Sequence, residues 1–450
     1  MDRKSVDLII KNAKIYVEGQ IHTGGVAIAN GKIVNVSKDA NLPSGEIIID
    51  GKGQLVIPGA IDCHAHLRDL NYSNKEDFFT GTCAAAVGGF TTVIDMPNTN
   101  PPTISSELLQ QKTEIARKKI VTNVGFYAGI PNSLHELEPF KKRGVFGFKL
   151  YLTNSLSQFN IDDPNQLKNL FSNLKKLGMP ILIHAERKKD IEELLNLKKQ
   201  ISLSPEDLYL ESHSEEVEKR AIKFVFDLNA NIGTEIHLCH VTTATGIDLL
   251  RKAKQEGQPV SAEVTPHHLF LTLKDLRTHG TFAKMLPPLR NPGDLSALWE
   301  GLNTGIIDTI ATDHAPHTLS EKTCGFSEAA NGIPGFETTL PLLFTALHEG
   351  KITLARLVQA IAENPATFLR LSKKGKIKPG YDADLAIIDL HREQKIEAQR
   401  FLSKAKFSPF DGWEIKGLPT MTIVKGKVIM REGQIMVPEG SGTIIKRQFQ

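Results

Sequence analysis

His64-Ala65-His66-Leu67-Arg68 follows, after Cys63, on the apolar run Leu55-Val56-Ile57-Pro58-Gly59-Ala60-Ile61-Asp62. Side chains alternate along a strand, so both imidazoles point the same way and can grip one metal ion from the end of a single β-strand. Arg68 shares that face, where its guanidinium could hold an anionic substrate beside the metal. A bare His-x-His is also found as satisfied polar groups at strand ends, so its company decides. Three further apolar runs close on metal-ligand types: Ile181-Leu182-Ile183-His184-Ala185-Glu186, Ile236-His237-Leu238-Cys239-His240-Val241 and Ile307-Asp308-Thr309-Ile310-Ala311-Thr312-Asp313-His314-Ala315-Pro316-His317.

Neutral imidazoles and carboxylates suit zinc. His64, His66 and Asp313 can hold one ion, and His184 with His240 a second. Two neighbouring cations need an anionic bridge, which none of these residues supplies. Lys149, in Gly147-Phe148-Lys149-Leu150-Tyr151-Leu152, alternates with Phe148 and Leu150, so it should project into the site while they face helices. A free ammonium repels cations, but carbon dioxide adding to the neutral amine gives a carbamate whose two oxygens can bridge both ions. The alternative is a buried lysine paired with an acid.

The elements that would position these groups alternate along the chain. Apolar strands ending near His66, Asp95, Ala128, Tyr151, His184, Val241, Thr265 and Asp313 are separated by helical stretches such as 77–87, 105–119, 165–177 and 215–228. Eight strand–helix repeats predict an α/β fold of the TIM-like (β/α)8 barrel type over residues 57–374, with the chemistry at the carboxyl ends of the strands. Every candidate ligand obeys that rule. The flanks read differently: short strands at 8–17, 25–29, 32–36 and 46–50 are separated by Glu18-Gly19 and Asn30-Gly31, the latter a strong hairpin signal. The texture returns at 383–390 and 421–435, and Ile9-Ile10-Lys11 with Glu18-Gly19-Gln20-Ile21 is echoed by Ile423-Val424-Lys425 with Glu432-Gly433-Gln434-Ile435. Each flank is too small to bury a core alone, so residues 1–56 and 375–450 are expected to build one small β-sandwich domain from both termini.

The net charge of +3 comes from basic residues interspersed with acidic ones, which argues against a nucleic-acid surface. No stretch approaches the length of a membrane span, and the first eleven residues lack the apolar core of a signal peptide. Cys63, Cys83, Cys239 and Cys324 lack paired spacing and fall within or beside apolar segments, so a reducing, cytoplasmic setting is expected rather than a disulfide framework.

The chain resembles the dihydroorotases of the amidohydrolase superfamily over essentially its whole length. The matching motifs are Asp62-Cys63-His64-Ala65-His66-Leu67-Arg68, Gly89-Phe90-Thr91-Thr92-Val93-Ile94-Asp95-Met96-Pro97-Asn98-Thr99, Phe148-Lys149-Leu150-Tyr151-Leu152, Glu263-Val264-Thr265-Pro266-His267-His268 and Ala311-Thr312-Asp313-His314-Ala315-Pro316-His317. The resemblance implies two Zn2+ per chain bridged by N6-carboxylysine at Lys149. His64, His66, Lys149 and Asp313 would take the more buried ion, and Lys149, His184 and His240 the other. It also implies that Arg68, Asn98 and His317 hold the substrate carboxylate, with Asp69 and His314 as neighbours only. The implied reaction is the reversible interconversion of N-carbamoyl-L-aspartate and (S)-dihydroorotate in de novo pyrimidine (UMP) biosynthesis. A metal-activated hydroxide would add to the ring carbonyl, and Asp313 would pass its proton to the departing nitrogen.

One departure is Leu286 before Pro287-Pro288-Leu289-Arg290, where relatives carry a polar residue lining the pocket. Cys239 and Glu263 read as a buried thiol and a strand-borne carboxylate rather than a third metal site. An allantoinase or hydantoinase would share fold, metals and mechanism, but Arg68 suits a carboxylate-bearing ring and has no such partner in an uncharged one. An inactive assembly subunit usually loses ligands, and a pure binding module has no need of two zinc ions. The partner expected is the small-molecule substrate; homo-oligomers and association with aspartate carbamoyltransferase are left open.

Overall fold

The computed structural model describes residues 5–198 and 202–449; the first four residues, read above for a leader, lie outside them. Five strands open the chain: β1 (Val6–Val17), β2 (Gln20–Ala29), β3 (Lys32–Ser37), β4 (Gly45–Asp50) and β5 (Leu55–Pro58). The β2–β3 turn is Asn30-Gly31, with φ of 52° and 70°. Positive φ at both central residues gives a turn whose twist matches the flanking strands, which is why Asn-Gly marks it in the sequence.

Nine short strands follow, separated by helices: β6 (Ala60–Ala65), β7 (Phe90–Asp95), β8 (Asn123–Phe126), β9 (Ala128–Gly129), β10 (Phe148–Tyr151), β11 (Ile181–His184), β12 (Ile236–Leu238), β13 (Val260–Val264) and β14 (Thr309–Ile310). They pair in parallel, in the orders β6-β7-β8 and β9-β10-β11-β12-β13-β14. β9 continues β8 after Tyr127, so the two parallel runs share one chain segment. The helices carry the signals that end and begin them. Helix Pro164–Leu177, for example, starts at Asp163, whose carboxylate accepts from Asn165 N–H, and stops at Gly178 in the left-handed conformation. One large apolar cluster lies between strands and helices, with Phe148 of β10 meeting Phe140 of helix Leu137–Arg143 edge-on at 5.7 Å. That contact turns Phe148 outward and leaves Lys149 facing the other way.

The chain returns through β15 (Leu385–Lys395), β16 (Glu414–Val424), β17 (Lys427–Arg431), β18 (Gln434–Ile435) and β19 (Thr443–Ile444). β15 pairs with β5, so the strands of both ends join one nine-stranded sheet ordered β18-β17-β16-β15-β5-β1-β2-β3, with β4 on β1. Leu8, Ile10, Ile15, Val26, Ile28 and Ile33 from one end share an apolar cluster with Leu385, Ile387 and Ile423 from the other. At the tail, β19 leaves this sheet and pairs with β8. The internal echo is also only half a likeness. Glu18-Gly19 and Glu432-Gly433 are equivalent positive-φ turns, whereas Lys11 lies within β1 and Lys425 begins a turn. Shared hairpin chemistry accounts for it.

All four cysteines are free, three of them buried. Among the described residues no helix is long and apolar enough to cross a membrane.

Candidate active site

All nine residues singled out from the sequence line one cavity of about 310 Å3: His64, His66, Arg68, Asn98, Lys149, His184, His240, Asp313 and His317. Each comes from the carboxyl end of a parallel strand or the loop after it. The backbone there is unusual. Arg68, His240 and Asp313 have φ of 57°, 34° and 44°, a conformation that costs a non-glycine residue of order 1–3 kcal/mol and collects at functional sites.

Neighbouring strands orient the imidazoles. Glu263 on β13 holds His64 Nδ1, and Asn98 Oδ1 lies 2.6 Å from His66 Nδ1. Both Nε2 atoms therefore turn to Asp313 Oδ1, at 3.3 Å and 3.0 Å. Glu186 takes His184 Nε2 at 2.7 Å and His213 Nδ1 at 2.9 Å, which leaves His184 Nδ1 facing His240 Nε2 at 3.0 Å. An imidazole pinned through one nitrogen offers the other as a ligand of fixed direction. His64, His66 and Asp313 form one group able to hold a metal ion, and His64, Cys239 and Glu263 another.

The electrostatics suit a cation. Burial opposes charge on His64, but Glu263 and Asp313 raise its pKa to about 10. Burial instead takes His66 down to about 4, and His240 is likewise held well below the usual range by burial and by His184 beside it. Asp313 stays well below the carboxylate range, because His64 and His66 outweigh its burial. The pocket thus combines anionic oxygen with unprotonated imidazole at His66 and His240, the donor set that zinc takes; His64 would give up its proton to bind metal. Lys149 is 1 % exposed, and its Nζ lies 2.8 Å from Cys239 Sγ and 5.0 Å from the Tyr151 ring centroid. Among the described residues it has no carboxylate partner, so the acid-paired alternative is not what the structure contains.

In the cavity wall Arg68 donates from Nε to Pro316 O at 3.3 Å, and its Nη2 lies 3.2 Å from His317 Nε2. Among the described residues no carboxylate pairs with this buried guanidinium. Leu286, Met285 and Ile333 supply an apolar wall. Asp69 and His314 do not line the cavity: Asp69 binds Lys119 and the amides of Leu70 and Phe78, and His314 accepts from Gly335 N–H while stacking on Phe336. Sequence reasoning missed Glu186, Glu263 and His213 as orienters, and His267, Tyr151 and Asn331 as lining residues. Glu186 and Glu263 were visible as acids at strand ends; nothing local tells which imidazole each would meet.

The site and its parallel strands are those of a hydrolase with side chains able to hold a metal ion, and the chain belongs to the amidohydrolase family, whose model matches residues 55–429. The chain is 36% identical to the dihydroorotase of Methanosarcina mazei, with 98% of both chains covered. It is 33% identical to the L-hydantoinase of Paenarthrobacter aurescens, again with 98% of both covered. The solved structure of the L-hydantoinase (dihydropyrimidinase) from Arthrobacter aurescens superposes with a TM-score of 0.94 at 32% identity, over 98% of this chain and 100% of that one.

Proposed function

We propose that this enzyme is a zinc-dependent dihydroorotase that interconverts N-carbamoyl-L-aspartate and dihydroorotate in pyrimidine biosynthesis. The observation that carries the reading is Arg68, a buried cation in the cavity wall with no acid paired to it among the described residues. A substrate carboxylate completes it, with Asn98 and His317 beside it. His64, His66, Asp313 and a carboxylated Lys149 would hold one zinc, and Lys149, His184 and His240 the other. When bound, zinc polarises a carbonyl and lowers the pKa of water from about 15.7 to about 7. Asp313, kept ionised by its histidine neighbours, accepts the proton of the attacking water and delivers it to the ring nitrogen as the C–N bond breaks. Ring closure is the same transfer in reverse. Lys149, buried in the cavity wall with no carboxylate partner among the described residues, supports carboxylation.

The same reading takes residues 57–374 as one closed (β/α)8 barrel and residues 1–56 with 375–450 as a β-sandwich. Supporting closure, His66 N–H donates to His314 O at 2.8 Å, joining the first parallel strand to the last. A hydantoinase is the second reading, favoured by the close likeness to the L-hydantoinase structure and by the apolar Leu286 wall. Hydrolysis rates of the purified protein on dihydroorotate, allantoin and hydantoin decide between them. Dihydroorotate should be preferred, and a preference for either uncharged ring overturns the assignment. Intact mass under gentle conditions should show one added carbon dioxide; a metal-loaded, active protein with unmodified Lys149 refutes the bridge.

A further inference from the structure

Two lysines with no part in this chemistry lie buried behind the cavity wall. Lys322 is fully buried and Lys284 is 5 % exposed. Among the described residues neither ammonium has an ion-pair partner, and each is matched to backbone carbonyls instead. Lys284 Nζ donates to Phe326 O at 2.6 Å, Ala329 O at 2.7 Å and Ser327 O at 3.3 Å. Lys322 Nζ donates to Ala330 O at 2.8 Å, Lys284 O at 3.0 Å and Gly332 O at 3.1 Å. An ammonium has three donors, and here all three are used in each case.

All of these carbonyls but that of Lys284 belong to one segment, residues 326–332, which is neither helix nor strand. The segment is exposed at Ser327 and Glu328 and buried at Ala329 and Gly332, and without a ladder of its own it must find other partners for the carbonyls it turns inward. The two lysine side chains supply them, and Gly332 N–H returns a bond to Lys284 O at 3.0 Å. The other face of the segment is the cavity wall, through Asn331, Gly332 and Ile333. Asn331 O lies 3.0 Å from His317 Nε2, and Ile333 O accepts from Ala315 N–H at 2.9 Å. Gly332, at φ 134°, packs so closely that a Cβ there would come within 2.6 Å of Ala315 O. Little slack separates the lysine-held face from the one a ligand would meet.

We propose that Lys284 and Lys322 are positioning residues for substrate selection: by clamping the carbonyls of 326–332 they fix the wall that sets His317 beside Arg68, and with it the grip on a carboxylate-bearing ring. The inference rests on the dihydroorotase reading only for the identity of that ring. Neither lysine lines the cavity, so the effect should fall on binding and spare the reacting groups.

The test uses the full-length, metal-loaded protein, with the wild type assayed first on dihydroorotate and on hydantoin. K284M and K322M should raise KM for dihydroorotate about tenfold or more while kcat stays within about threefold, the pattern of lost uniform binding. KM for hydantoin should move less than about twofold. K284R, which keeps charge and donors, should recover most of the loss. Amide hydrogen exchange of residues 326–333 should quicken in both methionine variants. If K322M does not fold, K284M with K284R carries the whole test. Unchanged exchange overturns the clamp, and quicker exchange with both KM values unmoved, or with both substrates losing equally, overturns the selective role. A wild type inactive on dihydroorotate would refute the functional reading, and that result precedes any variant.

Discussion

Arg68→Gln should lower kcat/KM for dihydroorotate by about 10²- to 10³-fold and leave hydantoin turnover within about threefold. The guanidinium is 8 % exposed and spends its protein contacts on Pro316 O and His317, so it retains donors for a carboxylate inside the cavity. A charge-assisted hydrogen bond contributes about 1.5–3 kcal/mol, and removing one member of a buried charge pair costs about 2–5 kcal/mol because the other is stranded. A loss of about 3–4 kcal/mol follows, or two to three decades at about 1.4 kcal/mol each. Because no carboxylate of the protein pairs with Arg68 among the described residues, the variant strands no internal charge, and its metal content should match the wild type. The assay is steady-state hydrolysis of both rings, product being separated from substrate by chromatography, with metal analysis of each preparation. Equal losses on the two rings, or none on dihydroorotate, would show that the guanidinium does not recognise substrate charge.

Glu186→Gln removes the anion that pins His184 Nε2 at 2.7 Å. Its affinity for zinc should fall about 10- to 100-fold, read by competition with a chromophoric chelator; wild-type affinity would show that the carboxylate does not orient the ligand. Glu337 is half-buried, and the loss of solvent around its carboxylate pushes its pKa from 4.5 up to about 8 against the amides of Leu402 and Ser403. Between those values the folded chain holds a proton that the unfolded chain has released, so this group's contribution to stability is complete below about pH 4.5 and is lost as pH rises to about 8. The slope approaches about 1.4 kcal/mol per pH unit. Denaturation midpoints at a series of pH values should therefore fall less steeply in Glu337→Gln than in the wild type, and parallel profiles would refute it.

The strands that bear the site were legible because each is a short apolar run closing on a polar residue, and side-chain alternation is a local property of the backbone. For the same reason Phe148 and Lys149 could be assigned opposite faces before any fold was known. The hairpins at Glu18-Gly19 and Asn30-Gly31 were equally local, since only a few residue types accept positive φ. The echo between Ile9-Ile10-Lys11 and Ile423-Val424-Lys425 carried less, because similar letters can sit mid-strand or at a turn, and only pairing partners decide which.

What the sequence by itself determined is the set of chemical groups and the end of the strand each occupies: two histidines on one face, a lysine among apolar neighbours, an aspartate after the last apolar run. What only the tertiary structure decided is who faces whom. Glu263 meets His64 from a strand 199 residues away, Arg68 meets Pro316 O and His317, and β19 crosses to pair with β8. The clamp of Lys284 and Lys322 is the extreme case, because its partners are carbonyls, which every residue carries alike. Periodicity is written in residue order, whereas these contacts depend on the distance between segments that the order keeps apart.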